Sequence, residues 1–239
     1  VSTARAITRY AVIPTRNRRE HLVALLRQLE NQVDLVYVID NASDEPLSSL
    51  WLRTQANVRT IVRRDDEQPP HLYKMWNSAF NVIAATTKIM GEKLWDVAVL
   101  NDDTSLPPNW FDNVAACLFR TPEALKHLNV PAIACTHTQT TAHGMPYLKT
   151  QIDGNITTRM CPWAFVVRGE LGLRADESMR WWWGDTDFEW QAIRAGGVLM
   201  LPGEAPLNTL ANSTTHGALA EQAGRDGETF ALKWGRRPW

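Results

Sequence analysis

The sequence predicts an α/β fold: a single domain with a mostly parallel central sheet and helices on both faces. Three observations carry this. Short apolar runs such as Tyr10 to Pro14, Leu35 to Ile39 and Val97 to Leu100 have the unbroken hydrophobic character of strands buried on both faces. Segments with apolar residues at helical spacing separate such runs, and strand, helix, strand within about 30 residues is a βαβ unit with a right-handed crossover. Three runs then end in polar residues, Pro14-Thr15-Arg16-Asn17, Asp40-Asn41 and Asn101-Asp102-Asp103. In a parallel sheet such ends share one edge, where ligands collect.

The first strand stops at Pro14. Leu22, Leu25, Leu26 and Leu29 then recur at helical spacing within Glu20 to Glu30, so one face of that helix packs inward. Leu35 to Ile39 is the second strand. A short helix at Leu47 to Thr54 and a strand at Val58 to Val62 repeat the pattern, and a helix from Leu72 to Met90 turns Met75, Ala79, Val82 and Ile83 to the core. The strand ending at Leu100 follows. Pro107 and Pro108 suit the first turn of a helix that buries Phe111, Val114, Ala115 and Leu118.

The second half is less regular. Val130 to Cys135 and Ala164 to Val167 read as strands, and Thr136 to Ile156, polar and rich in Thr, reads as a long loop or loose hairpin. Asp185 to Ala195 is a short helix closed by Gly196-Gly197, followed by the strand Val198 to Leu201. A loop over Pro202 to His216 precedes a last helix at Ala218 to Trp234. There are no repeats, low-complexity tracts or linkers, so residues 1–239 form one domain: 1–103 the nucleotide-binding half, 104–239 the half that completes the site.

Composition is that of an ordinary globular chain, 21% charged and 44% hydrophobic over 239 residues. The net charge of −1 argues against a protein held on nucleic acid by bulk electrostatics. Cys117, Cys135 and Cys161 are scattered without zinc-like spacing, which fits a reduced, cytoplasmic compartment. No stretch approaches 18 consecutive apolar residues, so no integral membrane segment is expected. Val1-Ser2-Thr3-Ala4-Arg5 lacks an apolar signal core.

Asn101-Asp102-Asp103 is the most informative stretch. Adjacent carboxylates at a strand end repel one another unless something positive sits between or beside them, and a hard divalent cation does this well. A solvated turn is the plainer alternative. No Gly-x-Gly-x-x-Gly follows the first strand and there is no P-loop motif, so a diphosphate here needs a metal and basic side chains. Arg16, Arg63, Arg64 and Lys74 are the candidates.

Trp181-Trp182-Trp183-Gly184-Asp185-Thr186-Asp187 is the second informative segment. Three successive Trp side chains cannot all enter one core, and an indole face suits a sugar or base ring. Asp185 opens a helix, either as a simple N-cap or as a general base, with Gly184 permitting close backbone approach. Asp187 stabilises the helix dipole or orients a neighbour. His216 is either structural or a ligand for a metal already held by carboxylate.

In order, Val12-Ile13-Pro14-Thr15-Arg16-Asn17-Arg18, Val38-Ile39-Asp40-Asn41-Ala42-Ser43, Leu100-Asn101-Asp102-Asp103, Trp183-Gly184-Asp185-Thr186-Asp187-Phe188, Arg194-Ala195-Gly196-Gly197 and His216 resemble family 2 of the nucleotide-sugar glycosyltransferases. The resemblance covers roughly Tyr10 to Gly217. It implies the GT-A fold, a Rossmann-like α/β architecture, and a transferase acting from a nucleoside-diphosphate sugar, with a UDP-sugar the leading expectation. It implies a metal on Asp103 of a DxD-type motif and on His216, with Asp102 near the donor ribose. Pro14, Thr15, Arg16, Asp40, Asn41, Arg63 and Lys74 would complete the donor site. Asn41 stands where the family often has a base-binding Asp. Asp185 falls at the catalytic base. The Trp-Gly-Asp-Thr-Asp run resembles the Trp-Asp-Asp form of galactofuranosyltransferases with Gly184 in place of one Asp; Trp182, Trp183 and Asp187 would face the acceptor.

The reading is therefore an inverting hexosyl- or pentosyltransferase using Mn²⁺ or Mg²⁺. The alternatives are a nucleotide-sugar or carbohydrate binder without transfer, and a metal-dependent nucleotidyltransferase. The last usually carries a Gly-rich loop after its first strand, and Thr15 to Arg19 contains no Gly. The acceptor is open among glycan, glycolipid, protein, small molecule and modified DNA.

Overall fold

A computed structural model describes residues 7–118, 130–136, 146–155, 158–202, 206–208 and 218–237. Strands β1 (Thr8–Thr15), β2 (Leu35–Asn41), β3 (Thr60–Asp65) and β4 (Trp95–Leu100) alternate with helices α1 (Arg19–Gln28), α2 (Ser49–Gln55) and α3 (Leu72–Met90). After β4 come β5 (Thr104–Ser105), α4 (Trp110–Ala116), β6 (Ile133–Thr136), β7 (Tyr147–Lys149) and β8 (Ala164–Arg168). Helix α5 (Gly184–Arg194), β9 (Val198–Leu201), β10 (Leu207–Asn208) and α6 (Ala218–Trp234) complete the chain.

Eight strands form one sheet in the order β3-β2-β1-β4-β8-β6-β9-β7, and β10 pairs with β5 in a small ribbon. The first four strands are mutually parallel; β8 is antiparallel to both its neighbours β4 and β6, and β7 is antiparallel to β9. The sheet is therefore mostly parallel and runs unbroken from the first half of the chain into the second. Tyr10 to Ile13 and Val36 to Ile39 are all nearly sealed from solvent, as strands covered on both faces should be.

Local sequence accounts for the helices. In α1, Leu22, Leu25 and Leu26 are fully buried, as is Leu29 just beyond its end. Ser48 caps α2 by accepting the Trp51 amide at 3.1 Å, and Gly91, with φ of 71°, closes α3 in the left-handed conformation that glycine adopts without penalty. Gly196 ends α5 against Val130, whose carbonyl oxygen would lie 2.4 Å from a β-carbon there.

Three sequence expectations are corrected. Val82 is 40% exposed, because the buried stripe of α3 is carried by Tyr73, Trp76, Phe80 and Ile83. Pro107 and Pro108 precede α4 instead of opening it; Asn109 is the N-cap. Part of the stretch Thr136 to Ile156, expected as a long loop or loose hairpin, is strand β7, which pairs with β9 at the sheet edge. Residues 137–145 and 156 of that stretch lie outside the described residues.

The core of the second half is aromatic. Trp76 of α3 meets Phe165 of β8 and Phe188 of α5 edge-on at 5.9 and 6.4 Å, while Phe80 stacks on Phe188 at 6.0 Å. Helix α5 is thereby keyed into the sheet, and Trp190 on it packs against Phe230 and Trp234 of α6. Among the described residues, no helix is long and apolar enough to cross a membrane.

Candidate functional site

The parallel registers align the strand ends. Thr15 lies beside Asp40, and Asp40 beside Arg64. Asp102 and Asp103 follow β4 on the same edge, each only 5% exposed. Thr15 Oγ1 donates to Asp102 Oδ2 at 2.7 Å. Arg18 Nη1 donates to both carboxylates, to Asp102 Oδ1 at 2.9 Å and to Asp103 Oδ2 at 3.1 Å. Burial and the neighbouring Asp102 charge push the Asp103 carboxyl above its ordinary range, and Arg18 opposes them.

Asp102 and Asp103 offer only hard carboxylate oxygens, nearly dry and crowded together, which is the chemistry Mg²⁺ or Mn²⁺ relieves when phosphates and water fill the other positions. The pair fits such an ion. Among the described residues no group of three or more His, Cys, Asp or Glu side chains is gathered to hold a metal, and His216 lies outside them.

The other expected donor residues divide. Asp40 is fully buried, accepts the amides of Ser43 at 3.1 Å and Leu47 at 3.0 Å, and faces Arg64 at 3.6 Å. With no surface to offer a nucleotide, it shapes the turn after β2. Asn41 is 4% exposed and donates to the Asp65 carbonyl at 3.3 Å. Pro14 is half-buried at the end of β1, and Arg63 is exposed on β3. Arg16 and Lys74 converge on one loop: Arg16 reaches Gln68 at 3.4 Å and Lys74 reaches Glu67 at 2.5 Å. Arg180, which carried no expectation, joins them by donating to Glu67 at 2.7 Å.

The start of α5 is fixed from two sides. The Gly184 amide donates to the Tyr73 phenol at 2.8 Å. Asp226 of α6, 1% exposed, accepts the backbone amides of Arg180, Trp181 and Trp182 at 3.0, 2.8 and 2.8 Å. Trp183 is the N-cap residue, in the left-handed region with φ of 65° and no side-chain cap. Asp185 is therefore inside the first turn and is not the N-cap. It forms an ion pair with Arg159, whose guanidinium is pushed below its ordinary range by burial.

Asp187 is placed differently from the expectation of an acceptor contact. It is fully buried; its carboxylate accepts from Trp234 Nε1 at 2.8 Å and Gln191 Nε2 at 2.7 Å and pairs with Lys233 at 2.7 Å. The Trp234 and Lys233 contacts tie α6 to α5, while the Gln191 bond lies within α5. Of the indoles, Trp183 donates to the Ala223 carbonyl at 3.0 Å and packs on the core. The Trp182 N–H is buried with no hydrogen-bond partner among the described residues.

Residues 158–164 connect the two clusters. Ala164 pairs with Leu100, the Asn101 amide donates to the Trp163 carbonyl at 3.0 Å, and Arg159, four residues before Trp163, reaches Asp185. Lys149 and Glu189 back this segment as an ion pair at 3.0 Å, both 1–3% exposed at the side chain. Arg18, Arg159, Tyr73 and Asp226 were missed from sequence. Only Arg18 left a signal there, as the middle one of three Arg in the stretch Arg16 to Arg19 at the strand edge where two carboxylates need a counter-charge.

No family model matches the chain, and no curated protein matches it. Solved structures do. Glucosyl-3-phosphoglycerate synthase from Mycobacterium tuberculosis, in complex with Mn²⁺, UDP and glucosyl-3-phosphoglycerate, superposes with a TM-score of 0.62 over 97% of this chain and 81% of that one, at 12% identity. TarS residues 1–349 from S. aureus superpose with a TM-score of 0.61 over 95% of this chain and 72% of that one, at 11% identity. The same TarS fragment with UDP-GlcNAc gives 0.58, at 11% identity, over 95% and 73%. These likenesses show that the chain has the GT-A fold of glycosyltransferases.

Proposed function

We propose that the protein is an inverting glycosyltransferase that moves a sugar from a nucleoside-diphosphate sugar, with UDP as the leading nucleotide, to an acceptor hydroxyl. The observation that carries this reading is the nearly buried Asp102–Asp103 pair at the end of β4. It sits on a fold whose solved neighbours include complexes with UDP, UDP-GlcNAc and Mn²⁺. Asp103 and His216 would hold Mn²⁺ or Mg²⁺, which supplies positive charge where the diphosphate leaves, and Asp102, expected near the donor ribose, would join them because it lies at the same buried strand end.

The chain's own residues divide the remaining work. Thr15 orients Asp102 by its hydrogen bond. Arg16, Arg63 and Lys74 supply cationic charge around the same edge, and Asn41 stands near the nucleobase. Asp185 takes the proton of the acceptor hydroxyl as it attacks the anomeric carbon opposite the diphosphate, a role commonly worth about 10²–10⁴-fold. For that it must loosen from Arg159, which lets the incoming acceptor decide when the base is free. Trp182 and Trp183 line the acceptor side. A panel of nucleotide sugars, scored by thermal shift and by donor hydrolysis with and without Mn²⁺, tests the reading. Binding without any turnover would make the protein a sugar-nucleotide binder, and binding of none would remove the donor assignment.

A further inference from the structure

Arg18 places a cation of the chain against the two carboxylates assigned to the metal. Its Nη1 is shared between Asp102 and Asp103 at 2.9 and 3.1 Å, and its side chain is 25% exposed against 7% and 6% for theirs. It lies at the N-cap position of α1, yet its side chain makes no capping hydrogen bond. Removing the guanidinium from the carboxylates therefore does not uncap the helix. Its backbone carbonyl still accepts the Leu22 amide at 3.0 Å.

From this geometry we infer that Arg18 is an exchangeable counter-ion: it holds Asp102 and Asp103 until a divalent cation arrives with a diphosphate, and then transfers its hydrogen bonds to the diphosphate. The inference rests on the donor-site reading above. A dication entering while the guanidinium stays would meet a like charge at contact distance. Two nearly dry carboxylates with no cation at all would repel one another and pay for their burial. One cation must replace the other. Arginine is suited to the exchange because its planar donors match phosphate as well as carboxylate. The metal and the diphosphate should therefore bind cooperatively, each raising the affinity of the other by the same factor.

Mn²⁺ binding to the whole protein, read from the electron paramagnetic resonance of the free ion, tests this without any turnover. Mn²⁺ alone should bind weakly to the wild type and more tightly, roughly 5–150-fold as is usual for coupled sites, when UDP or base-free pyrophosphate is present. Arg18→Gln should bind Mn²⁺ alone about tenfold or more tighter than wild type, and its coupling to either diphosphate should shrink. Arg18→Lys, with a shorter and more strongly hydrated cation, should fall between them and serves if the Gln variant does not fold. Equal Mn²⁺ affinity in wild type and both variants, or weaker affinity in the variants, overturns the exchange while leaving the metal site standing. Adding Asp103→Asn to Arg18→Gln should abolish the gain; if it does not, the metal lies elsewhere and the donor-site reading fails with it.

Discussion

The ring of Tyr73 occupies the space that a β-carbon at Gly184 would fill, with its Cζ 2.1 Å from that position, while its hydroxyl accepts the Gly184 amide at 2.8 Å. The glycine that interrupts the Trp-Gly-Asp run is thus a contact requirement between α3 and the first turn of α5. The bond also satisfies one of the amides that a helix start leaves without an intrahelical partner.

Gly184→Ala should therefore cost about 1–3 kcal/mol, the usual penalty for forcing a carbon into a packed core. It should also displace Asp185 and lower turnover by more than the stability loss explains. Tyr73→Phe keeps the ring but removes the acceptor, costing about 1 kcal/mol. Urea denaturation of both variants checks the order; an Ala variant as stable as wild type would mean the ring is free to move.

How much of this was legible depended on the distance over which each residue is explained. Asp102 and Asp103 stood out because an unbroken apolar run ended in two acids. Asp40 ended its strand in the same way, yet the Ser43 and Leu47 amides turn its carboxylate inward, and no strand pattern separates the two cases. β7 was hidden because its inward residue is Lys149, a polar side chain in a core position made tolerable by Glu189, 40 residues later, together with Thr158 and Asp153. Asp187 read as a site residue for the same reason: its partners Lys233 and Trp234 lie at the far end of the chain.

Asp187→Ala is accordingly expected to act on stability first. It removes hydrogen bonds from Trp234 and Gln191 and the ion pair with Lys233, so a loss of about 1.5–3 kcal/mol is expected, with Trp fluorescence reporting the loosening of α6. Donor binding should persist. A variant of normal stability with no transfer would return Asp187 to the acceptor site.

The same junction gives a pH dependence. Burial alone would raise Asp176, but hydrogen bonds from Lys233 and Ser178 outweigh it and hold the carboxyl below its ordinary range. Burial alone would lower Lys233, and its bonds to Asp176 and Asp187 outweigh that and raise it. A depressed carboxyl stabilises the fold above its unfolded pKa and loses that contribution as pH falls through the lowered value. A raised lysine stabilises below its unfolded pKa and loses the contribution only as pH rises through the raised one. Docking of α6 should thus hold across neutral pH and weaken at both extremes, by under about 1 kcal/mol for such partly exposed groups. Lys233→Met should flatten the acid limb, measured by hydrogen exchange over α6; an unchanged limb would exclude this pair as its source.

Lys149 and Glu189 are a sealed pair, and burial pushes the Glu189 carboxyl up against the pull of Lys149. Lys149→Met alone strands a buried carboxylate and should cost about 3–5 kcal/mol. Lys149→Met with Glu189→Leu should recover most of it, since apolar replacement of a buried pair is often neutral. Thermal denaturation of the single and double variants decides this: if the double is as unstable as the single, the cost lies in the contacts of Lys149 with Thr158 and Asp153.

Asp185→Asn separates the two roles left to that residue once the N-cap is assigned to Trp183. As a base, Asp185 must accept a proton, which the amide cannot do, so transfer or donor hydrolysis should fall by roughly two orders of magnitude or more. Donor affinity should stay near wild type, because the residues proposed for the donor lie on other elements than α5. As a structural partner of Arg159, it would instead show a loss of stability with turnover kept. Arg159→Gln supplies the opposite arm: it removes the ion pair but leaves the carboxylate, so a base remains competent in it and a merely structural pair does not distinguish the variants. Loss of turnover in Asp185→Asn with activity retained in Arg159→Gln assigns the proton to Asp185. Equal stability losses with activity retained in both would leave the base to be sought elsewhere.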